Sequence, residues 1–104
     1  MFRHGDVYLV PVTGKPAKAK RVPRDPQHGI VLAYGKQTGH AHAIADKDVW
    51  LWEANGRRFL HVPSSADTAM LDHEEHGAMP IASGWYSVII QREYSPTEIR
   101  QVAD

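Results

Sequence analysis

Short runs of alternating apolar and polar residues, separated by turn-forming residues, recur along this chain of 104 residues. Side chains of a β-strand point alternately to its two faces, so a period of two is typical of strands with one buried face. Segments of this kind, or short apolar runs bounded by turn residues, are predicted as strands at 6–12, 30–35, 40–45, 49–53, 58–62, 66–71 and 84–94. The pair Asn55–Gly56 favours a tight hairpin between two of them.

We therefore predict an all-β fold, a small antiparallel β-barrel or sandwich of about seven short strands, in a single domain spanning residues 1–104. A short C-terminal helical turn is the one helical element we expect. Ser95 would cap it, Pro96 would take its first position and Glu98 its third, and the turn would run to Val102. An extended tail is the alternative.

Residues 13–29 differ in composition from the predicted strands. This segment holds five lysines and arginines, and its three prolines disfavour a helix. We predict a long basic loop with two alternative roles. It is either a solvated connection or an arm that contacts phosphate or an acidic partner through Lys18, Lys20 and Arg21.

The overall composition narrows the function classes. Lysine plus arginine and aspartate plus glutamate each number 12, and this zero net charge argues against a general nucleic-acid binder. The absence of cysteine excludes disulfides, thiolate zinc sites and cysteine nucleophiles. No apolar run is long enough to cross a membrane, so we expect a cytoplasmic protein with no membrane partner. A small-molecule ligand and homo-oligomerisation both remain open.

Two histidine clusters hold four of the seven histidines, His40-Ala41-His42 and His73-Glu74-Glu75-His76. On a strand, His40 and His42 would share one face, while the alanines between and after them would lie on the other. Neutral imidazole is the commonest protein metal ligand. Two imidazoles on one strand face can chelate one metal ion if other segments supply further ligands.

The second cluster offers those ligands in two ways. An extended conformation places His73 and Glu75 on one face, whereas a helical turn or bend brings His73 and His76 together. The candidate metal ligands are therefore His40, His42, His73 and His76, with Glu75 as the alternative. Such a set suits zinc, iron, manganese or nickel better than calcium or magnesium. The spacing is one residue short of the zincin motif, so we reject a metalloprotease.

If the protein is an enzyme, the metal would act as a Lewis acid or activate water, with Glu74 or Glu75 as general base. Asp72 would then orient the imidazole of its neighbour His73. Three alternatives stay open at this point. They are a metal-free histidine cluster used in catalysis or binding, a non-enzymatic binding or assembly module with structural histidines, and an RNA-associated accessory protein that uses the basic loop.

Other histidines and tryptophans are assigned no functional role from the sequence. We interpret His4, His28 and His61 as incidental, because they lie near the terminus, in a loop and within a strand. Trp50 and Trp52 would share one face of one strand, where we expect them to belong to the core, with the lining of a pocket as the alternative.

Three segments, GDVYLVPV, TGHAHAI and HEEHGAMPIASGWYSVIIQREY, resemble a group of small bacterial and phage-borne proteins of similar length, a resemblance that implies a family without implying an activity. The segment Gly39-His40-Ala41-His42 also resembles the opening of the metal-binding motif of cupins, which are small β-barrels. The cupin glutamate shortly downstream and the PxG before the last histidine are absent here. This second resemblance therefore extends to His40 and His42 only, with His73 and His76 as loose counterparts of the later ligand.

Overall fold

The computed structural model describes residues 1–34, 41–66, 68–73 and 77–90. Within these ranges the chain forms ten β-strands and one 3-10 turn at Ser64–Ala66. The strands are β1 (Phe2–His4), β2 (Val7–Val12), β3 (Lys20–Arg21), β4 (Ile30–Tyr34), β5 (Ala41–Ile44), β6 (Trp50–Ala54), β7 (Arg57–Val62), β8 (Thr68–Asp72), β9 (Met79–Ala82) and β10 (Gly84–Ile90). None of the described residues forms a helix that is long and apolar enough to cross a membrane.

The strands form two antiparallel sheets. One has six strands in the order β1-β2-β10-β7-β6-β3, and the other has four in the order β4-β5-β8-β9. The prediction of an all-β antiparallel fold is confirmed, and the molecule is a sandwich rather than a closed barrel.

Each of the seven predicted strands has a counterpart, and the three additional strands are short or irregular. β1 has three residues, β9 contains Pro80, and β3 consists of two residues inside the segment predicted as a basic loop. β3 is the edge strand of the six-stranded sheet because Lys20 and Arg21 pair with β6 beside it. The predicted C-terminal turn lies outside the described residues.

The β6–β7 hairpin has the turn that its sequence predicts. Asn55 and Gly56 both adopt positive φ angles, 53° and 76°. A two-residue turn with both central residues at positive φ matches the right-handed twist of the flanking strands, and asparagine and glycine tolerate it best.

The core lies between the two sheets and takes residues from both. Its largest fully buried side chains, with under 2% of their surface exposed, are Leu9, Ile30, Leu32, Ile44, Leu60, Leu71, Ile81, Val7, Val49 and Val62. These residues alternate with partly or fully exposed neighbours along most strands, which confirms the period-of-two interpretation. Burial of this apolar surface away from water makes the main favourable contribution to the packing of the two sheets.

Candidate functional site

Three histidines from separate parts of the chain meet inside the molecule. His4 ends β1, His42 lies in β5, and His73 directly follows β8. They are 4%, 5% and 6% exposed, and they are the polar side chains buried within the described residues. The ring centroids of His42 and His73 lie 4.3 Å apart, and that of His4 lies 5.0 Å from His42 and 6.3 Å from His73. We call these residues the histidine cluster.

Strand alternation turns each of these side chains inward. His42 is buried in the same strand as Ile44, two residues away, which places both on the core face. His73 continues the buried series of Ala69 and Leu71 beyond the end of β8. The cluster therefore extends the apolar core with polar rings where β1 of one sheet meets β5 of the other.

Hydrogen bonds fix the arrangement of the His4 ring. Nδ1 of His4 lies 2.8 Å from Nδ1 of His42, and Nε2 of His4 lies 2.8 Å from the carbonyl oxygen of Gly77. A carbonyl only accepts, so Nε2 of His4 donates to it. In the neutral ring Nδ1 of His4 then carries a lone pair, and His42 donates from its own Nδ1.

The backbone around His73 closes a tight bend. The amide of Gly77 donates to the carbonyl of His73 at 2.9 Å, and Gly77 has a positive φ of 72°. The carboxylate of Asp72 is exposed and accepts from the backbone N–H of His73 at 2.9 Å. Asp72 thus holds the main chain of its neighbour. Its predicted role toward the imidazole of His73 stays a prediction.

An open pocket of about 390 Å³ reaches this bend from the outer face of the four-stranded sheet. Its floor contains the alanines of β5, and its polar groups come from Gln27, His28, Asp46, Asp72 and His73. A small molecule in this pocket would contact His73 from the solvent side.

The comparisons with known proteins place this chain in a family. A family model described as "Domain of unknown function (DUF8820)" matches residues 3–91. The chain belongs to this family. The matched range contains the whole histidine cluster of this DUF8820 protein and, except for Phe2 of β1, both sheets. A search of curated proteins found no match to the sequence, and neither did a search of solved structures.

The DUF8820 structure brings together part of the predicted metal site. His42 and His73 are 31 positions apart in the chain and have adjacent rings, as the hypothesis of a shared centre requires. His40, Glu74, Glu75 and His76 lie outside the described residues, so their predicted roles are untested. Among the described residues, which include His4, His42 and His73, no group of three or more histidines, aspartates and glutamates is arranged so that it could hold a metal ion.

The interpretation of His4 as incidental is wrong. Its ring is buried and contacts residues 38 and 73 positions away in the chain. Only the tertiary pairing of the two sheets brings those partners together, so no local pattern around His4 could reveal them. The other two histidines lie outside the cluster. His28 contacts Asp25, three residues away in the chain. His61 stacks on Trp85, and burial lowers the pKa of the His61 ring.

The basic residues predicted to contact an anionic partner lie away from the histidine cluster. Lys18, Lys20 and Arg21 are exposed, and the guanidinium carbon of Arg21 lies 4.3 Å from the ring centroid of Trp50.

Trp52 is half-buried outside the apolar core, so its assignment to the core is wrong. Trp50 packs partly against the core.

Proposed function

We propose that this DUF8820 domain binds a divalent transition-metal ion at the histidine cluster, with His4 and His42 as the first two ligands. The observation that carries the proposal is the 2.8 Å separation of their Nδ1 atoms inside the protein. A metal ion would take the place of the proton between the two Nδ1 atoms, and His42 would bind as its other neutral tautomer, with that proton on Nε2.

The separation of the two nitrogens is close to what a shared ion needs. Imidazole nitrogen binds such metals at about 2.0–2.1 Å, so two ligands of one ion lie about 2.9 Å apart in octahedral and about 3.4 Å apart in tetrahedral geometry. The observed 2.8 Å is about 0.1 Å below the octahedral and about 0.6 Å below the tetrahedral separation, and both rings must also turn so that their lone pairs converge on one ion, so binding requires adjustments of both side chains. Rotation of two side chains can supply them.

The hydrogen bond from Nε2 of His4 to Gly77 also supports the proposal. Histidines that ligate metals usually donate their other ring N–H to a carbonyl or carboxylate, because this fixes the tautomer and directs the lone pair at the ion. His4 has this arrangement, with Gly77 as the acceptor and Nδ1 facing His42.

The remaining ligands belong to the same proposal. His73 has its ring against His42, and His40 and His76 complete the predicted histidine set, with Glu75 as the oxygen alternative. Imidazole-rich ligands favour zinc, iron, manganese or nickel. Water bound to such a metal loses its proton more readily, and Glu74 or Glu75 would then serve as general base if the site is catalytic.

A metal-free structural role is the second candidate. The tautomers assigned above, with Nε2 of His4 and Nδ1 of His42 protonated, favour this role. Neutral His4 and His42 satisfy one another by a single hydrogen bond, and Gly77 satisfies the remaining N–H of His4. In that case the cluster is a buried polar network that fixes how the two sheets pair, and the protein is a non-enzymatic binding or assembly module.

Metal analysis of the full chain, purified without an affinity tag, separates the two candidates. We expect near-stoichiometric zinc, iron, manganese or nickel, and its loss in His42→Asn, whose side-chain amide can still hydrogen bond to His4. His61→Asn is the matched control because it changes a histidine outside the cluster, and it should keep the metal. A wild-type chain that remains metal-free after incubation with each of the four ions, while folded by circular dichroism, would support the structural role.

A further inference from the structure

A second group of aromatic rings lies on the opposite side of the six-stranded sheet from the core. These side chains alternate with buried residues along their strands and lie on the face of the sheet turned away from the four-stranded sheet, and Trp50 at the start of β6 also packs partly against the core. All are half-buried. We call this group the aromatic band, and its members are Tyr8, Trp50, Trp52, Phe59, His61 and Trp85.

Rings of the aromatic band contact one another across neighbouring strands. His61 stacks on Trp85 with ring centroids 4.2 Å apart and planes 14° from parallel. The ring centroid of Trp52 lies 5.8 Å from that of Trp85. Three strands thus present one continuous aromatic surface. Nε1 of Trp52 is a buried donor with no hydrogen-bond acceptor in the described part of the chain.

Cationic side chains lie over the rings at one edge of the sheet. The ammonium of Lys15 is 4.5 Å from the ring centroid of Trp52, and the guanidinium of Arg21 is 4.3 Å from that of Trp50. Both cations are exposed and can turn toward a ligand. Arg24 also lies over Trp50, but it donates to the backbone carbonyls of residues 46, 47 and 49, so its role is structural.

A further cation lies at the opposite edge of the sheet. Arg3 of β1 lies over the ring of Tyr8, with its guanidinium carbon 5.3 Å from the centroid. From β3 to β1 the sheet order has five interstrand steps of about 4.8 Å, or about 24 Å in all. A track of this length, aromatic in the middle and cationic at both ends, accommodates several nucleotides.

We infer that the aromatic band binds single-stranded nucleic acid, with bases stacked on Trp52, Trp85 and His61 and phosphates held by Lys15 and Arg21. Unpaired bases present flat faces that stack on aromatic rings or guanidinium planes, and their backbone requires cations beside those rings. A duplex hides its base faces. Zero net charge over the whole chain is compatible with this site, because the cations that matter are concentrated over the rings.

Fluorescence anisotropy of labelled oligonucleotides of about twelve residues, added to the full chain at low salt, tests the inference. We expect single-stranded RNA or DNA to bind at least tenfold more tightly than a duplex of the same sequence and to quench the tryptophan fluorescence. A preference between the two single strands would report whether the 2′-hydroxyl contributes. Equal affinity for duplex, or binding with unchanged tryptophan fluorescence, would overturn the inference.

Paired substitutions locate the site. Lys15→Gln with Arg21→Gln should weaken binding about tenfold and lower the slope of log affinity against log salt by about 1.4, since two phosphate contacts are lost. Lys47→Gln with Arg57→Gln removes the same charge from two exposed residues outside the aromatic band and should change affinity less than about twofold. An equal effect of the two pairs would contradict a site at the aromatic band. This test does not depend on whether the histidine cluster binds a metal.

Discussion

The histidine cluster and the aromatic band are both groups of rings contributed by several strands, but they lie on opposite sides of the six-stranded sheet. In the cluster, His4 and His42 are buried and their nitrogens contact each other directly. In the band, Trp52 and Trp85 are half-buried, and exposed cations lie over the rings of Trp52 and Trp50. One site is enclosed and preorganised, whereas the other is open to large ligands.

This difference determines what each site can recognise. Burial makes the ring nitrogens of the cluster dependent on one another, because an unsatisfied polar group inside a protein is costly. A small metal ion is the ligand that we propose for such a site. The side chains of the aromatic band are only half-buried, and its exposed cations make attraction to a polyanion sensitive to salt.

The largest expected effect comes from removing a member of the cluster. His4→Ala deletes the partner of His42 and of the Gly77 carbonyl and leaves a cavity, so we expect a loss of about 3 kcal/mol in the free energy of unfolding. Urea denaturation in the presence of EDTA measures this without any metal contribution. The matched control His28→Ala, at a partly exposed loop position, should cost less than about 1 kcal/mol. Equal losses would contradict the structural importance of the cluster.

A glycine beside β5 provides a smaller and more specific perturbation. Gly29 has a φ of +84°, and a Cβ there would lie 2.7 Å from the carbonyl oxygen of Ile44, two residues beyond His42. Gly29→Ala should lower the free energy of unfolding by about 2–3 kcal/mol. It should also displace β5, which would weaken metal binding.

Gly56→Ala is the matched control for this prediction. Gly56 also has a positive φ, +76°, but a Cβ there would meet no atom within 4 Å. It should therefore cost only the backbone strain and leave metal affinity unchanged. Thermal melts and metal titrations of both variants measure the difference, and identical results would show that the contact with β5 is unimportant.

On the aromatic band a single substitution should have little effect on stability. Arg21→Gln removes a guanidinium that lies over Trp50 at an exposed position, and such contacts contribute about 0.5–1 kcal/mol. We expect unfolding free energy to fall by no more than that and metal content to stay unchanged. A loss comparable with that of His4→Ala would mean that the band is a structural element rather than an open surface.

The smallest effect is a pH dependence at His61. Burial lowers the pKa of this ring below its ordinary value of 6.5, so the folded state disfavours the charged form. The unfolded chain then binds more protons, and stability should rise with pH as it approaches 6.5 and be lost as pH falls below it. An NMR titration should place the pKa of His61 below 6.5, and a value above that would contradict the effect of partial burial on this ring.

Strand alternation accounts for most of what the sequence could predict. It located β2, β4, β6, β7 and β10 to within a few residues, because each combines a buried face with clear turn signals at its ends. It could not locate β3 or β9. The first is two residues long and exists through pairing with β6, and the second contains Pro80.

The sites were harder to predict because they depend on which strands become neighbours. Alternation places Trp52 and Leu51 on opposite faces, but both faces are apolar, and only the position of the second sheet decides which one is core. The pairing of His42 with His73 could be anticipated from their clustered neighbours. The contribution of His4 could not, since its partners lie 38 and 73 positions away.

The most direct test of the metal proposal is an NMR spectrum of the histidine ring nitrogens in the full chain, recorded before and after addition of zinc. We predict that the Nδ1 resonances of His4 and His42 both shift on binding, while Nε2 of His4 stays protonated through its bond to the Gly77 carbonyl. Unchanged Nδ1 resonances at saturating zinc, in a folded chain, would contradict metal binding by this pair.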